Sequence, residues 1–232
     1  MKLIDISMPV EADWQPHHPE YYPPVKITHV LRPDDPESMG RVARHFSGLL
    51  HTGTHVDYRE HMGRIGDTLD VVPFEQFMGR ATLLDLRHRV PERVIDEEHV
   101  REAAQGKQLE DRVAILATGW GDRYGAEDYF THSPYLTVEA AQWIADQRPR
   151  MFGNDFLATN YEGDMRDFPK RILMSNGAVF LSNLVNLETL LAEGADQAVT
   201  IMAFPFNLKG VEAAMTRAVA IVGDDVTELL TA

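Results

Sequence analysis

His51-Thr52-Gly53-Thr54-His55-Val56-Asp57-Tyr58-Arg59-Glu60-His61 is the stretch on which the reading of this chain turns. Three of the ten histidines and an aspartate fall within these eleven residues. Imidazole and carboxylate are the donors that zinc and manganese take. Two histidines with one carboxylate leave a coordination position open for water or substrate. His51, Gly53, His55 and Asp57 alternate, so on an extended segment all four face one way. A straight strand would still hold His51 and Asp57 roughly 20 Å apart, too far for one ion. The chain must therefore turn within the motif, and Gly53 is the residue that turns at least cost. A glycine at 53 would also leave room for an ion. Gly53, Thr54 and Val56 are poor helix formers, which favours a strand end running into a tight loop. His61 is either a further ligand or a proton shuttle, and an unperturbed pKa near 6.5 suits the second role.

Working outward, Arg44 to Leu50 reads as a buried strand that delivers this motif, preceded by a strand at Lys26 to Leu31 and a turn from Pro33 to Gly40. Lys2 to Ser7 reads as a first strand. Residues 8 to 24 form a proline-rich loop with Trp14, His17, His18, Tyr21 and Tyr22, which serves either as a cap on a flat substrate or as a subunit contact. After the motif come a glycine-rich loop, one or two helical turns near Pro73, and a buried strand from Ala81 to Leu86. Asp96 caps a helix that Gly106 can end, and Thr137 caps an amphipathic helix reaching Arg148. Val113 to Thr118 is a continuous apolar strand that runs into Gly119-Trp120-Gly121. Tyr124 to Pro134 is an aromatic loop containing Tyr129. Leu187 to Glu193 reads as a brief helix, and Val199 to Phe206 and Thr216 to Val222 as the last strands. Strands outnumber helices about three to one, which predicts a mixed α/β or α+β single domain over residues 1–232, built on a large sheet or barrel.

The motif resembles the signature of the cyclase-like metal-dependent hydrolases, His-x-Gly-Thr-His-x-Asp-x-Pro-x-His, and matches every fixed position except proline, where Arg59 stands. Thr118-Gly119-Trp120 and Asp155 extend the likeness. The resemblance implies an open β-barrel-like sheet flanked by helices, commonly in homodimers or higher homo-oligomers, with an aromatic N-terminal loop near the site. It implies His51, His55 and Asp57 as ligands of a divalent metal, zinc or manganese. Binuclear members of the family add a histidine and a glutamate from the later half of the chain. Here Lys170 and Ser182 stand at those positions, and no histidine follows His132. A second metal is therefore not expected, because a protonated lysine cannot ligate one. Lys170 can instead place a positive charge there, toward a substrate carboxylate or a developing oxyanion, with Ser182 as a polar wall or water-relay hydroxyl. Arg59 either loosens the loop before His61 or contacts an anionic substrate.

These residues predict metal-assisted hydrolysis of a small amide, formamide, lactam or lactone, with His61 moving the proton. Trp14, Trp120 and Tyr129 are the candidates for stacking on an aromatic substrate. The alternatives are a metal-dependent cyclase or dehydratase and a catalytically impaired small-molecule binder. The net charge of −14 argues against nucleic acid and anionic membrane surfaces as partners. There are no cysteines, hence no disulfide and no thiol nucleophile. No apolar run suits a signal peptide or a membrane span, so the expectation is a cytoplasmic protein.

Overall fold

The computed structural model describes residues 1–14, 22–157, 169–195 and 197–223. Most of the proline-rich loop, including His17, His18 and Tyr21, and the polar stretch at 158–168 lie outside the described residues. In chain order the strands and helices are β1 Lys2–Asp5, β2 Lys26–Leu31, β3 Ala43–Ser47, β4 His55–Asp57, β5 Met78–Asp85, β6 Val94–Ile95, α1 Glu97–Ala104, β7 Val113–Ala117, β8 Tyr135–Leu136, α2 Val138–Asp146, β9 Met151–Asn154, α3 Pro169–Leu173, β10 Val179–Ser182, α4 Leu187–Gly194, β11 Val199–Met202, β12 Ala213–Met215 and β13 Val219–Val222.

Nine strands form one mixed sheet in the order β1-β13-β11-β5-β7-β9-β10-β4-β12. Its centre, β5, β7, β9 and β10, is parallel. The flanking pairs are antiparallel. A parallel centre must be covered on both faces, and β7 accordingly has five buried residues in a row. Val113, Ile115 and Ala117 join the core on one face, with Ile201, Ala220 and the α4 residues Leu187 and Leu190. Ala114 and Leu116 join a second core on the other face, with Val100 of α1 and Ile144 of α2. The sheet curls into a half-barrel. The chain after β1 helps hold the curl: the Ile6 N–H donates to the Ala218 carbonyl, and the Ile6 carbonyl accepts from the Val185 N–H beyond β10.

Both expected caps form. Asp96 accepts from the His99 N–H at the start of α1, and Thr137 accepts from the Ala140 N–H at the start of α2. One expectation fails. Arg44 to Leu50 is not a buried strand feeding the motif; among the described residues β3 pairs only with β2, in a separate two-stranded ribbon whose residues are mostly exposed. The motif instead supplies its own strand, β4, set between β10 and β12. The edge strand β12 has no counterpart in the sequence reading, because Ala213-Ala214-Met215 is too short to show an alternation.

Candidate metal centre

Period-2 geometry on β4 places the site. Val56 points into the first core, so His55 and Asp57 emerge on the face that carries Phe180 of β10. Asp57 lies opposite Phe180, and His55 lies opposite Ser182. The turn anticipated at Gly53 is present at φ 60°. It brings His51 Nδ1 to 2.7 Å from Asp57 Oδ1. The room beside Gly53 is not for an ion, however. A Cβ there would lie 2.4 Å from Val10 Cγ2, so glycine is needed for its dihedral and for the N-terminal segment packed on it. Thr54 secures the turn: its hydroxyl donates to the Asn183 carbonyl at 2.6 Å and accepts from the Met8 N–H at 2.7 Å.

Asp57 is fully buried, and its two oxygens have different surroundings. Oδ2 faces Lys170 Nζ at 2.5 Å, the donating Ser182 hydroxyl at 3.2 Å and His55 Nε2 at 3.4 Å. Oδ1 faces His51 Nδ1 and has no hydrogen-bond donor among the described residues. At 2.7 Å the contact is within hydrogen-bond distance but not in hydrogen-bond alignment, although His51 also helps hold the Asp57 carboxyl low. The tautomers explain why. The carbonyl of Gly53 can only accept, so His55 donates Nδ1–H to it at 2.8 Å and keeps a lone pair on Nε2. Glu212 Oε1 lies 3.0 Å from His51 Nε2; with Nε2–H donated there, Nδ1 presents its lone pair to Asp57. Two acceptors this close repel unless a cation joins them. His61 supplies another inward nitrogen: donor atoms of His51, Asp57 and His61 all lie within 4.8 Å of one another. The compact triad thus contains His61, while His55 approaches the carboxylate's other oxygen. A buried oxygen without an aligned donor, faced by His51 Nδ1 and with a His61 nitrogen close by, fits a divalent ion.

Burial opposes the charge on Asp57, but Lys170 and then His55 hold its carboxyl well below the usual range. Burial lowers the His55 pKa despite the attraction of Asp57. Burial, reinforced by Lys170, brings His61 down to about 3 and leaves its ring neutral. Lys170 comes from α3, only 9% exposed, with its ammonium 4.7 Å from the centre of the Phe180 ring.

The other expected site residues separate into two groups. Arg59 is engaged in the scaffold: it donates to the Ser175 carbonyl at 2.9 Å and lies 3.3 Å from Asp67, tying the turn that carries His61 to the segment following α3. It therefore stiffens the turn at the position where the family carries proline. Trp120 and Tyr129 are core residues, each 2% exposed, with the Trp120 indole N–H donating to the Tyr129 carbonyl. Rings so enclosed offer no face for stacking. Trp14 is half-buried, with its ring centre 6.2 Å from Tyr124 and 6.3 Å from Phe130. Asp155 braces the Thr118-Gly119 corner, accepting from both backbone N–H groups and from the Thr118 hydroxyl. Burial pushes its carboxyl up to about 6 against those bonds. Glu212 and Asn183 were not apparent from the sequence. Glu212 has no neighbour in the chain that marks it, since its contact to the motif spans 161 residues, whereas Asn183 follows the expected Ser182 and donates to the Gly53 carbonyl across 130 residues.

Comparison with known proteins places the family. The profile of the cyclase family, described as "Putative cyclase", matches residues 4–161. The chain belongs to that family. It is 28% identical to a kynurenine formamidase from Salinibacter ruber over 94% of this chain and 97% of that protein. Its fold is similar to that of isatin hydrolase A from Ralstonia solanacearum, with a TM-score of 0.79, 20% identity, and coverage of 96% of this chain and 92% of the other. It is also similar to a structure titled as a potential metal-dependent hydrolase with cyclase activity, with a TM-score of 0.74, 22% identity, and coverage of 94% and 96%. Among the described residues no helix is long and apolar enough to cross a membrane.

Proposed function

We propose that this protein hydrolyses a small amide, formamide, lactam or lactone with the help of one divalent ion, zinc or manganese. The observation that carries the reading is Asp57 Oδ1, a buried carboxylate oxygen with no aligned donor among the described residues, faced by His51 Nδ1. The kinship with kynurenine formamidase and the isatin hydrolase fold support the amide class. Bound at this position, a divalent ion supplies Lewis-acid polarisation of a carbonyl and acidifies a water.

The residues divide the remaining work. His51 and Asp57 would hold the ion with His55 as third ligand from the Oδ2 side, since both imidazoles have their outer nitrogens fixed by acceptors, which His61, the third member of the compact triad, lacks among the described residues. His61 borders the same space, and no hydrogen bond fixes its ring among the described residues. Its ring centre lies 4.3 Å from that of His51 and the ring is neutral, the form that can take a proton from the attacking water and return it to the leaving nitrogen or oxygen. Lys170 neutralises Asp57 from the Oδ2 side and stands where a second ion would need to be, which favours one ion over two. Its two remaining N–H bonds can stabilise negative charge developing on the substrate oxygen. Ser182 keeps Oδ2 turned toward Lys170.

The test is a screen of formamides, lactams and lactones with chelator-treated and metal-restored protein. Turnover that disappears on chelation and returns with zinc or manganese is the expected result, with lactams and lactones opening to one product a water heavier and formamides splitting into amine and formate that together carry the added water. Products of unchanged mass, or lighter by one water, would favour the cyclase or dehydratase reading that the family's description keeps open. No turnover and no ion uptake would favour a binding protein.

A further inference from the structure

Glu212 lies just before β12, and its backbone is fixed: its carbonyl accepts from the Tyr58 N–H at 2.9 Å, one residue past Asp57. Its side chain, about one-third exposed, reaches His51 Nε2 at 3.0 Å. His51 therefore sits between two carboxylates, with Asp57 Oδ1 2.7 Å from its other nitrogen. A neutral imidazole carries one N–H. Which of the two carboxylates accepts that hydrogen decides which nitrogen offers a lone pair to the interior.

We propose that Glu212 is a positioning residue that holds His51 as the Nε2–H tautomer, so that Nδ1 and Asp57 Oδ1 together accept the divalent ion. This inference rests on the metal reading above and adds a residue to it. Gly53 already does the same for His55 through its carbonyl. The two imidazoles are thus set by different means: His55 by backbone, which no side-chain substitution removes, and His51 by a side chain, which one substitution can. Loss of such an outer partner characteristically weakens metal binding about 10- to 100-fold.

The test is a competition titration of the full chain against a chromogenic chelator, using zinc and manganese ions as probes. It compares wild type, Glu212→Gln and Glu212→Met. Methionine keeps the length without an oxygen acceptor; the amide oxygen of glutamine still accepts from Nε2–H. Expected is an affinity 10- to 100-fold weaker for Glu212→Met, with Glu212→Gln recovering most of the loss. Urea unfolding of the metal-free proteins should show all three folded with similar midpoints. Equal affinities for wild type and Glu212→Met overturn the inference. Equal weakening in both variants also overturns it, because a loss of charge and not of an acceptor would then be responsible. Wild type that takes up neither ion defeats the metal reading itself, a result distinct from either of these.

Discussion

Replacing Lys170 with methionine isolates the electrostatics of the centre. The substitution removes the ammonium 2.5 Å from a fully buried carboxylate and leaves a side chain of comparable length against Phe180. Breaking a buried ion pair from one side costs about 3–5 kcal/mol, because the remaining charge is left without its partner. In a chain of 232 residues that corresponds to a Tm lower by about 6–20 °C. The pH dependence carries the diagnosis. In the wild type the folded pKa of Asp57 is depressed, so the stability it contributes is present above its unfolded value near 3.8 and is lost only as pH falls through the lower folded value. Without Lys170 the largest opposing effect on Asp57 is gone, and burial raises its pKa. The variant can then protonate Asp57 in mildly acidic solution and escape the penalty. Urea unfolding of chelator-treated wild type and Lys170→Met at pH 7 and pH 4 should therefore show a large gap that narrows toward pH 4. A gap below about 1 kcal/mol at pH 7, the value of an exposed pair, would refute the buried pairing. A gap of the same size at both pH values would refute the role of Asp57.

Other expectations are more compact. His61→Ala should still take up the ion yet lose about 10²- to 10⁴-fold in turnover, measured as initial rate beside metal content; normal turnover would remove His61 from proton transfer. Asp155, whose folded pKa is raised to about 6, favours the fold most below its unfolded value near 3.8, and that contribution disappears as pH rises through 6. Relative to Asp155→Asn, wild type should therefore lose up to about 3 kcal/mol between pH 4 and pH 7, read from urea midpoints. Gly121→Ala should prevent stable folding, since the new Cβ would lie 2.0 Å from the Leu184 carbonyl oxygen; circular dichroism melting would reveal it.

Much of the centre was legible because its chemistry is local. The alternation from His51 to Asp57 and the need to close a span of roughly 20 Å together required a turn, and glycine at 53 marked where. The position of Lys170 where the binuclear family members carry a histidine pointed to a positive charge at the centre, and its ammonium is there. What the sequence hid is long-range or depends on burial. The run from Arg44 to Leu50 has the composition of a strand, yet nothing in it reveals that it would pair with β2 in an exposed ribbon. Trp120 and Tyr129 sit in loops as a ligand platform would, but packing closes over both rings. Arg59 replaces a residue that restricts the backbone and achieves restraint through bonds to Ser175 and Asp67, which only the folded chain brings near. Glu212 lies in an undistinguished stretch and acquires a role through β12 pairing with β4.

The number of divalent ions per chain is the most direct measure of this account. Protein stripped with chelator, reloaded with zinc or manganese, desalted and analysed for metal should hold one ion per chain, and Asp57→Ala prepared alongside should hold none. Two ions per wild-type chain would contradict the place given to Lys170, and none would contradict the centre itself.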